Sequence, residues 1–89
     1  TECGLADGQD ESRTWYIKEL LRNVHAAMRA GVNVQGFMYW ALLDNFEWDK
    51  GFAPKFGLIG VDYRTMKRTV RDSAFKFAAV CKSGFLKNE

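Results

Sequence analysis

Cysteine and histidine are scarce in this chain of 89 residues. Cys3 and Cys81 stand far apart with no Cys-x-x-Cys, and His25 is the single histidine. That excludes a disulfide scaffold and a zinc site of regular ligand spacing, and it leaves His25 without a partner for metal ligation or a catalytic triad. A helix residue packed on the outside of the fold is the reading for His25, and neither a metal nor a cofactor is expected. Free thiols fit a reducing, cytoplasmic compartment. Long hydrophobic runs are missing too. None approaches the roughly 20 residues that span a bilayer, and the start TECGLADGQD has neither the basic flank nor the apolar core of a signal peptide, so no membrane contact and no export address are expected. Charge of one sign is also lacking. The net charge of +2 comes from interleaved acids and bases, and the basic group of Lys67 and Arg68, with Arg64 and Arg71 nearby, is broken by polar and apolar residues. No nucleic-acid partner is expected from it. There is no repeat and no low-complexity segment.

What is abundant is aromatic. Phe, Trp and Tyr make up 15% of the chain, clustered between Phe37 and Tyr63. The stretch WALLDNFEWDKGF, residues 40 to 52, mixes aromatic and acidic side chains with a period of neither two nor 3.6, so it reads as a site rather than as one face of a strand or helix. A length of 89 residues allows one small domain at most, with a modest buried share and marginal stability.

The order of elements can be read along the chain. LADGQDES is a polar loop. In ESRTWYIKELLRNVHAAMRAG, Ile17, Leu20, Leu21, Val24 and Met28 recur at helical spacing; Glu11 or Ser12 is the expected N-cap, Arg29 falls in the last turn, and Gly31 follows the end. Residues 32–40, β-branched and aromatic, read as a strand buried on both faces, and residues 56–63 as a further strand. Arg64, Thr65 and Met66 then turn the chain. A last helix from about Val70 to Lys82 is expected to bury Val70, Ala74, Phe77, Ala78 and Cys81. This is a piece of a βα succession with its aromatic and acidic loop just after the C-terminal end of a buried strand, where (β/α)₈ barrels build their active sites. Two βα units cannot close a barrel, which needs eight strands and typically about 250 residues.

The motifs agree with a known family. Thr1-Glu2-Cys3-Gly4-Leu5-Ala6-Asp7 resembles the Thr-Glu-Asn-Gly-x-x-Asp motif that ends the seventh strand of family 1 glycoside hydrolases, the β-glucosidase and β-galactosidase family. Residues 39–48 (YWALLDNFEW), with Gly51-Phe52, Lys55-Phe56-Gly57-Leu58 and Val61-Asp62-Tyr63, resemble the end of the eighth strand and its long loop. Lys67-Arg68-Thr69 and Ser73-Ala74 extend the match to nearly the whole chain. The resemblance implies the C-terminal portion of a (β/α)₈ TIM barrel, about its last two βα units and not closed by itself: residues 1–89 as the end of strand 7, helix 7, strand 8, the active-site loop and helix 8.

It also implies roles. Glu2 is the catalytic nucleophile of a retaining β-glycosidase, a reaction that uses two carboxyl groups roughly 5–5.5 Å apart. Glu47 and Trp48 bind sugar hydroxyls, Trp40 is the stacking platform, and Phe56 walls the same subsite; flat apolar rings beside a carboxylate and an indole N–H suit a pyranose. Taken alone, Glu2 reads as a solvated charge and the aromatic cluster as a small core with Glu47 paired to a lysine; the motif reverses both readings. Relatives acting on 6-phosphorylated sugars usually replace the acid at Glu47 by serine, so a plain β-linked gluco- or galactoside is the implied substrate. Asp44 and Asn45 are expected to brace the loop backbone, Trp15 and Tyr16 to pack, and Asp49 and Lys50 to lie on the surface.

The sequence departs from the family pattern at Cys3, where asparagine is usual, and in having no Asn-Glu-Pro, the motif that carries the general acid/base. The implied parent is therefore a β-glucosidase-type hydrolase whose missing N-terminal barrel part is this chain's partner, and the isolated chain is expected to be inactive. Two other readings stand beside it: a non-catalytic carbohydrate-binding α/β module, and a module that docks its open edge on a partner.

Overall fold

The computed structural model describes residues 2–86, so Thr1 of the first motif lies outside the described residues, as does the end of the expected unit 1–89. The first helix, α1, spans Arg13–Arg29. Ser12 is its N-cap but makes no side-chain cap; instead, Asp7 Oδ2 accepts from the Ser12 amide at 2.8 Å. The chain leaves α1 through Gly31, whose φ of 102° suits a residue without a Cβ. A 3₁₀ turn, Trp48–Lys50, follows in the long loop. Strand β1, Ile59–Asp62, then pairs antiparallel with β2, Lys67–Val70, in the register Ile59 to Val70 through Asp62 to Lys67. The second helix, α2, covers Asp72–Ser83 and ends at Gly84 in the left-handed conformation.

Two expectations about strands need correction. Residues 32–40 form no ladder: Val34 N donates back to Val32 O at 3.1 Å, and a single parallel bridge joins Tyr39 to Cys3. A strand exists only by pairing, and among the described residues the short segment at Glu2 to Gly4 is what bonds to residues 38–40. Residues 56–63 form a strand only from Ile59, and their partner is the basic segment Lys67–Val70, which the sequence reading placed in the approach to the last helix. Val70 accordingly belongs to β2, and α2 begins two residues later.

Between these elements the backbone is held in layers. The segment 38–44 lies between the Glu2 to Gly4 segment and residues 56–59. On one side Cys3 N donates to Met38 O (3.2 Å) and Trp40 N to Cys3 O (2.7 Å). On the other, Leu58 N donates to Ala41 O and Ile59 N to Leu42 O, both at 2.8 Å. Close approach requires small residues. A Cβ on Gly57 would run into Asp44 N and would sit 2.5 Å from Ile59 O and 2.6 Å from Leu43 C, all backbone atoms that cannot yield.

Only Ile17, Leu58 and Val61 are buried apolar side chains among the described residues. The helices pack on each other through Thr14, Ile17 and Lys18 of α1 and Ser73, Phe77 and Val80 of α2. The buried face of α2 is thus rotated from the expected one: Ala78 and Cys81 are exposed, and Ser73 is fully buried because Asp10 supplies its hydrogen bonds. Met28, Trp15 and His25 are likewise exposed rather than packed. The radius of gyration is 14.2 Å, against about 12 Å for a compact domain of this length. The solvent-accessible surface is 6572 Å², against about 5,300 Å² for a folded monomer of this mass. The chain is an open α/β piece with apolar faces uncovered.

Candidate active site

The first wall of the site comes from the segment Glu2 to Gly4. Gly4 is required there by close approach: a Cβ would run into Trp40 O and stand 3.3 Å from Phe56 Cδ1. The segment can therefore lie flat against Trp40, which carries Glu2 and Cys3 to the end of the buried layer. The opposite wall is Phe56, whose carbonyl accepts from Ala41 N at 3.1 Å. Between them the chain leaves Trp40 for the long loop and returns.

Glu47 and Trp48 are set by a tight turn. Glu47 N donates to Gly51 O at 2.7 Å, Lys50 N to Glu47 O at 2.9 Å, and Gly51 N to Trp48 O at 3.1 Å. Gly51 has a φ of 63°, the left-handed region that favours glycine. The turn leaves Trp48 82% exposed, with its indole ring projecting from the loop. Behind it, Phe46 and Phe52 meet edge to face at 5.3 Å between centroids, and Phe52 stacks obliquely on Tyr63 at 4.7 Å. The aromatic cluster thus splits in two, one part bracing the loop and one part lining the cleft.

All the candidate residues named from the sequence, Glu2, Trp40, Glu47, Trp48 and Phe56, converge with Cys3 and Gly4 on one open cleft of 260 Å³. A larger cavity of 780 Å³ is lined by Lys18 of α1, by Asp72, Phe75 and Lys76 of α2, and by Phe85 beyond it. It brings no pair of carboxylates together, so chemistry rather than size selects the smaller cleft. No group of three or more His, Cys, Asp or Glu side chains among the described residues is placed to hold a metal ion.

Cys3 stands beside Glu2. Partial burial, and then the negative charge of Glu2, push its thiol above the ordinary value. It is therefore a neutral S–H at physiological pH, donating to Met38 O at 3.6 Å. The cysteine adds no second negative charge next to the carboxylate.

The loop is braced from beneath by a group that the sequence reading named only in part. Asp44, 2% exposed, accepts from Gly57 N (2.9 Å) and Val61 N (3.3 Å). It also accepts both arms of Arg71, at 2.8 and 3.0 Å. Its own carbonyl accepts from the Tyr63 hydroxyl. Burial pushes the Asp44 carboxyl up, but the bonds from Arg71, Gly57 and Val61 outweigh it and hold the group below the usual carboxylate range. The same partnership raises Arg71. Asp44 thus braces the loop as expected, whereas the buried Asn45 Oδ1 finds no hydrogen-bond partner among the described residues. Arg71 was missed. The available signal was an acid set in an otherwise apolar segment, which needs a buried cation.

A second brace was missed entirely. Arg13 and Ser73 are fully buried and share Asp10. Burial pushes Asp10 up, and the bonds from Ser73 and Arg13 bring it down below its ordinary value.

Known proteins resemble the chain over its whole length. The sequence profile of the family described as glycosyl hydrolase family 1 matches residues 2–85. A β-galactosidase of Saccharolobus solfataricus is 38% identical over 89 residues, 100% of this chain and 18% of that protein. A galactolipid galactosyltransferase of Arabidopsis thaliana is 44% identical over 85 residues, covering 94% of this chain and 14% of that protein. Among solved structures, a hyperthermophilic β-glucosidase from Pyrococcus furiosus superposes with a TM-score of 0.95 at 40% identity, over 98% of this chain and 18% of that one. The chain therefore spans less than a fifth of the length of these relatives, and its open shape is that of a corresponding piece of a (β/α)₈ barrel.

Proposed function

Since the chain belongs to glycosyl hydrolase family 1, we propose that the protein carrying it is a retaining β-glycosidase of the β-glucosidase type, acting on terminal, non-phosphorylated β-D-glucosides or β-D-galactosides. The observation that carries this reading is the meeting of Glu2 with Trp40, Glu47, Trp48 and Phe56 in one cleft. Glu2 attacks the anomeric carbon and forms a glycosyl ester while the aglycone oxygen leaves with a proton from a second carboxyl group. That group then takes a proton from water, and the water oxygen displaces Glu2 and releases the sugar. We assign the second carboxyl to the part of the barrel beyond these 89 residues, so the isolated chain is inactive. The remainder of the barrel would also cover the apolar surface that this piece leaves open.

The other cleft residues bind the sugar in this reading. Glu47 accepts from neighbouring hydroxyls, the Trp48 indole N–H donates to one, and Trp40 and Phe56 offer apolar rings to the C–H face. A galactosyltransferase among the relatives is compatible with the same glycosyl ester, since hydrolysis and transfer differ only in the acceptor that resolves it.

The test is trapping. In 2,4-dinitrophenyl 2-deoxy-2-fluoro-β-D-glucoside the leaving group needs no proton, while the fluorine slows resolution of the ester. The complete protein is expected to release one equivalent of dinitrophenolate and to carry the fluorosugar on the peptide containing Glu2. Absence of the adduct, or its appearance on another residue, would refute the assignment. Substrate class has its own check, because the Glu47 carboxylate repels a phosphate dianion bound in the same cleft. Turnover of an aryl β-glucoside should exceed that of its 6-phosphate by at least tenfold, about 1.4 kcal/mol; the reverse order would exclude the plain-sugar reading.

A further inference from the structure

We propose that Arg13 is a positioning residue for the cleft: it ties the backbone that carries Glu2 to the backbone that carries Phe56, and so sets the nucleophile against the sugar-binding wall. The proposal rests on the glycosidase reading above. Arg13 is 0% exposed and lines no part of the cleft, so it acts on bound sugar only through other residues.

Its contacts reach across the site's foundations. Nη2 donates to Leu5 O (3.2 Å) and Asp7 O (2.8 Å), in the segment that leaves Glu2. It also donates to Lys55 O (2.7 Å), one residue before Phe56. Asp7 N donates to the same Lys55 carbonyl at 2.9 Å, so the two segments are stitched at a single point. Nη1 is held by Asp10 Oδ1 at 2.6 Å. Asp10 is fixed in turn by the first turn of α2, where it accepts from Ser73 N at 2.9 Å and from Ser73 Oγ at 2.6 Å.

A buried guanidinium without a carboxylate would be costly, and Asp10 meets that need. Nη2 is then free to grip carbonyls, while the buried Nε finds no hydrogen-bond partner among the described residues. The planar fork divides the two tasks: Nη1 meets the Asp10 carboxylate while Nη2 shares its two hydrogens among the three carbonyls, and lysine, shorter and with a single nitrogen, cannot hold both sides at once. The device is therefore specific to arginine. Arg13 thus adds a side-chain tie to the backbone bond between Asp7 N and Lys55 O, beneath the walls that carry Glu2 and Phe56, and displacement of reacting groups by about 1 Å can cost on the order of 100-fold in rate.

The experiment is carried out on the complete protein with Arg13→Lys. Competent sites are first counted by the dinitrophenolate burst from the 2-fluoro glucoside, and the glycosylation rate constant for an aryl β-glucoside is then expressed per counted site. Arg13→Lys should lose on the order of 10- to 100-fold per competent site. Asp10→Asn keeps an oxygen for Nη1 but removes the counter-charge, and it should lose severalfold; it serves if the lysine variant does not fold. Ser73→Ala is the structural control. It removes one bond to Asp10 and leaves the carbonyl grip intact, so its melting temperature should fall while its per-site rate stays within twofold of wild type. If Arg13→Lys and Asp10→Asn also keep their per-site rates and lose only melting temperature or the number of sites, Arg13 is merely structural and the proposal is overturned. If the wild-type protein gives no burst, or the label is not on Glu2, the glycosidase reading fails and takes the proposal with it.

Discussion

Glu2→Gln in the complete protein is expected to lower turnover of an aryl β-glucoside by on the order of 10⁴-fold or more, with the fold left intact. The amide retains the shape of the carboxylate but offers no nucleophile, and loss of a residue that forms the covalent intermediate removes most of the catalytic power of such a site. Glu2 is exposed at the cleft and lies outside the buried layer, so little stability is at stake. A second readout separates loss of chemistry from loss of folding. Azide added to a variant with a smaller side chain, Glu2→Ala, can enter the vacated space, attack the anomeric carbon and displace the aglycone, giving the α-glycosyl azide. Recovery of turnover with that inverted product would support the role of Glu2; full activity of Glu2→Gln without azide would end it.

Asp44→Ala should produce the largest loss of stability, about 3–5 kcal/mol. The carboxylate is 2% exposed and satisfies two amides and both arms of Arg71. Removing it leaves the guanidinium without its counter-charge and the Gly57 and Val61 amides without an acceptor, each at a cost of about 1–3 kcal/mol before relaxation. These terms share one carboxylate and do not add. The exposed Arg22–Glu19 pair, at 2.5 Å with both side chains over a third exposed, is the contrast; such pairs contribute about 0–1 kcal/mol. Denaturant titration of Asp44→Ala beside Glu19→Ala tests the difference, and equal midpoints for the two variants would show that the buried pair is not what holds the loop.

The same pair sets an acid limit. Asp44 titrates below its ordinary value of 3.8 in the folded chain, so on acidification the unfolded state takes up a proton first. Its contribution is complete above pH 3.8 and is lost as the pH falls through the lower folded value. Asp44→Asn should therefore flatten the pH dependence of stability on that acid limb and leave the neutral range without a slope from this group.

How much of this was legible beforehand varied by residue. The helix over Arg13–Arg29 was readable because its periodicity is local, and Gly31 marked its exit because a left-handed residue after a helix is a backbone requirement. The five cleft residues were found through motif spacing, and the fold brings them to one cleft. The strand expected over 32–40 did not form a ladder, because pairing depends on neighbours that no local pattern supplies. β2 was overlooked because Lys67, Arg68 and Thr69, following the expected turn at Arg64, Thr65 and Met66, show no apolar alternation; they are exposed and pair with β1.

Sequence by itself determined the family and the residues that line the cleft, since motif composition and spacing are carried in the order of the chain. It also marked Gly31 as the exit of the first helix, whereas the close approaches that exclude a Cβ at Gly4 and Gly57 came from the tertiary structure. Only the tertiary structure decided how the cleft is held. Asp10 joins Arg13 to Ser73, 63 residues from it along the chain, and Asp44 joins Arg71 across 27. A buried charge has to find its partner wherever folding brings one within hydrogen-bond reach, and that distance in space leaves no periodicity in the sequence.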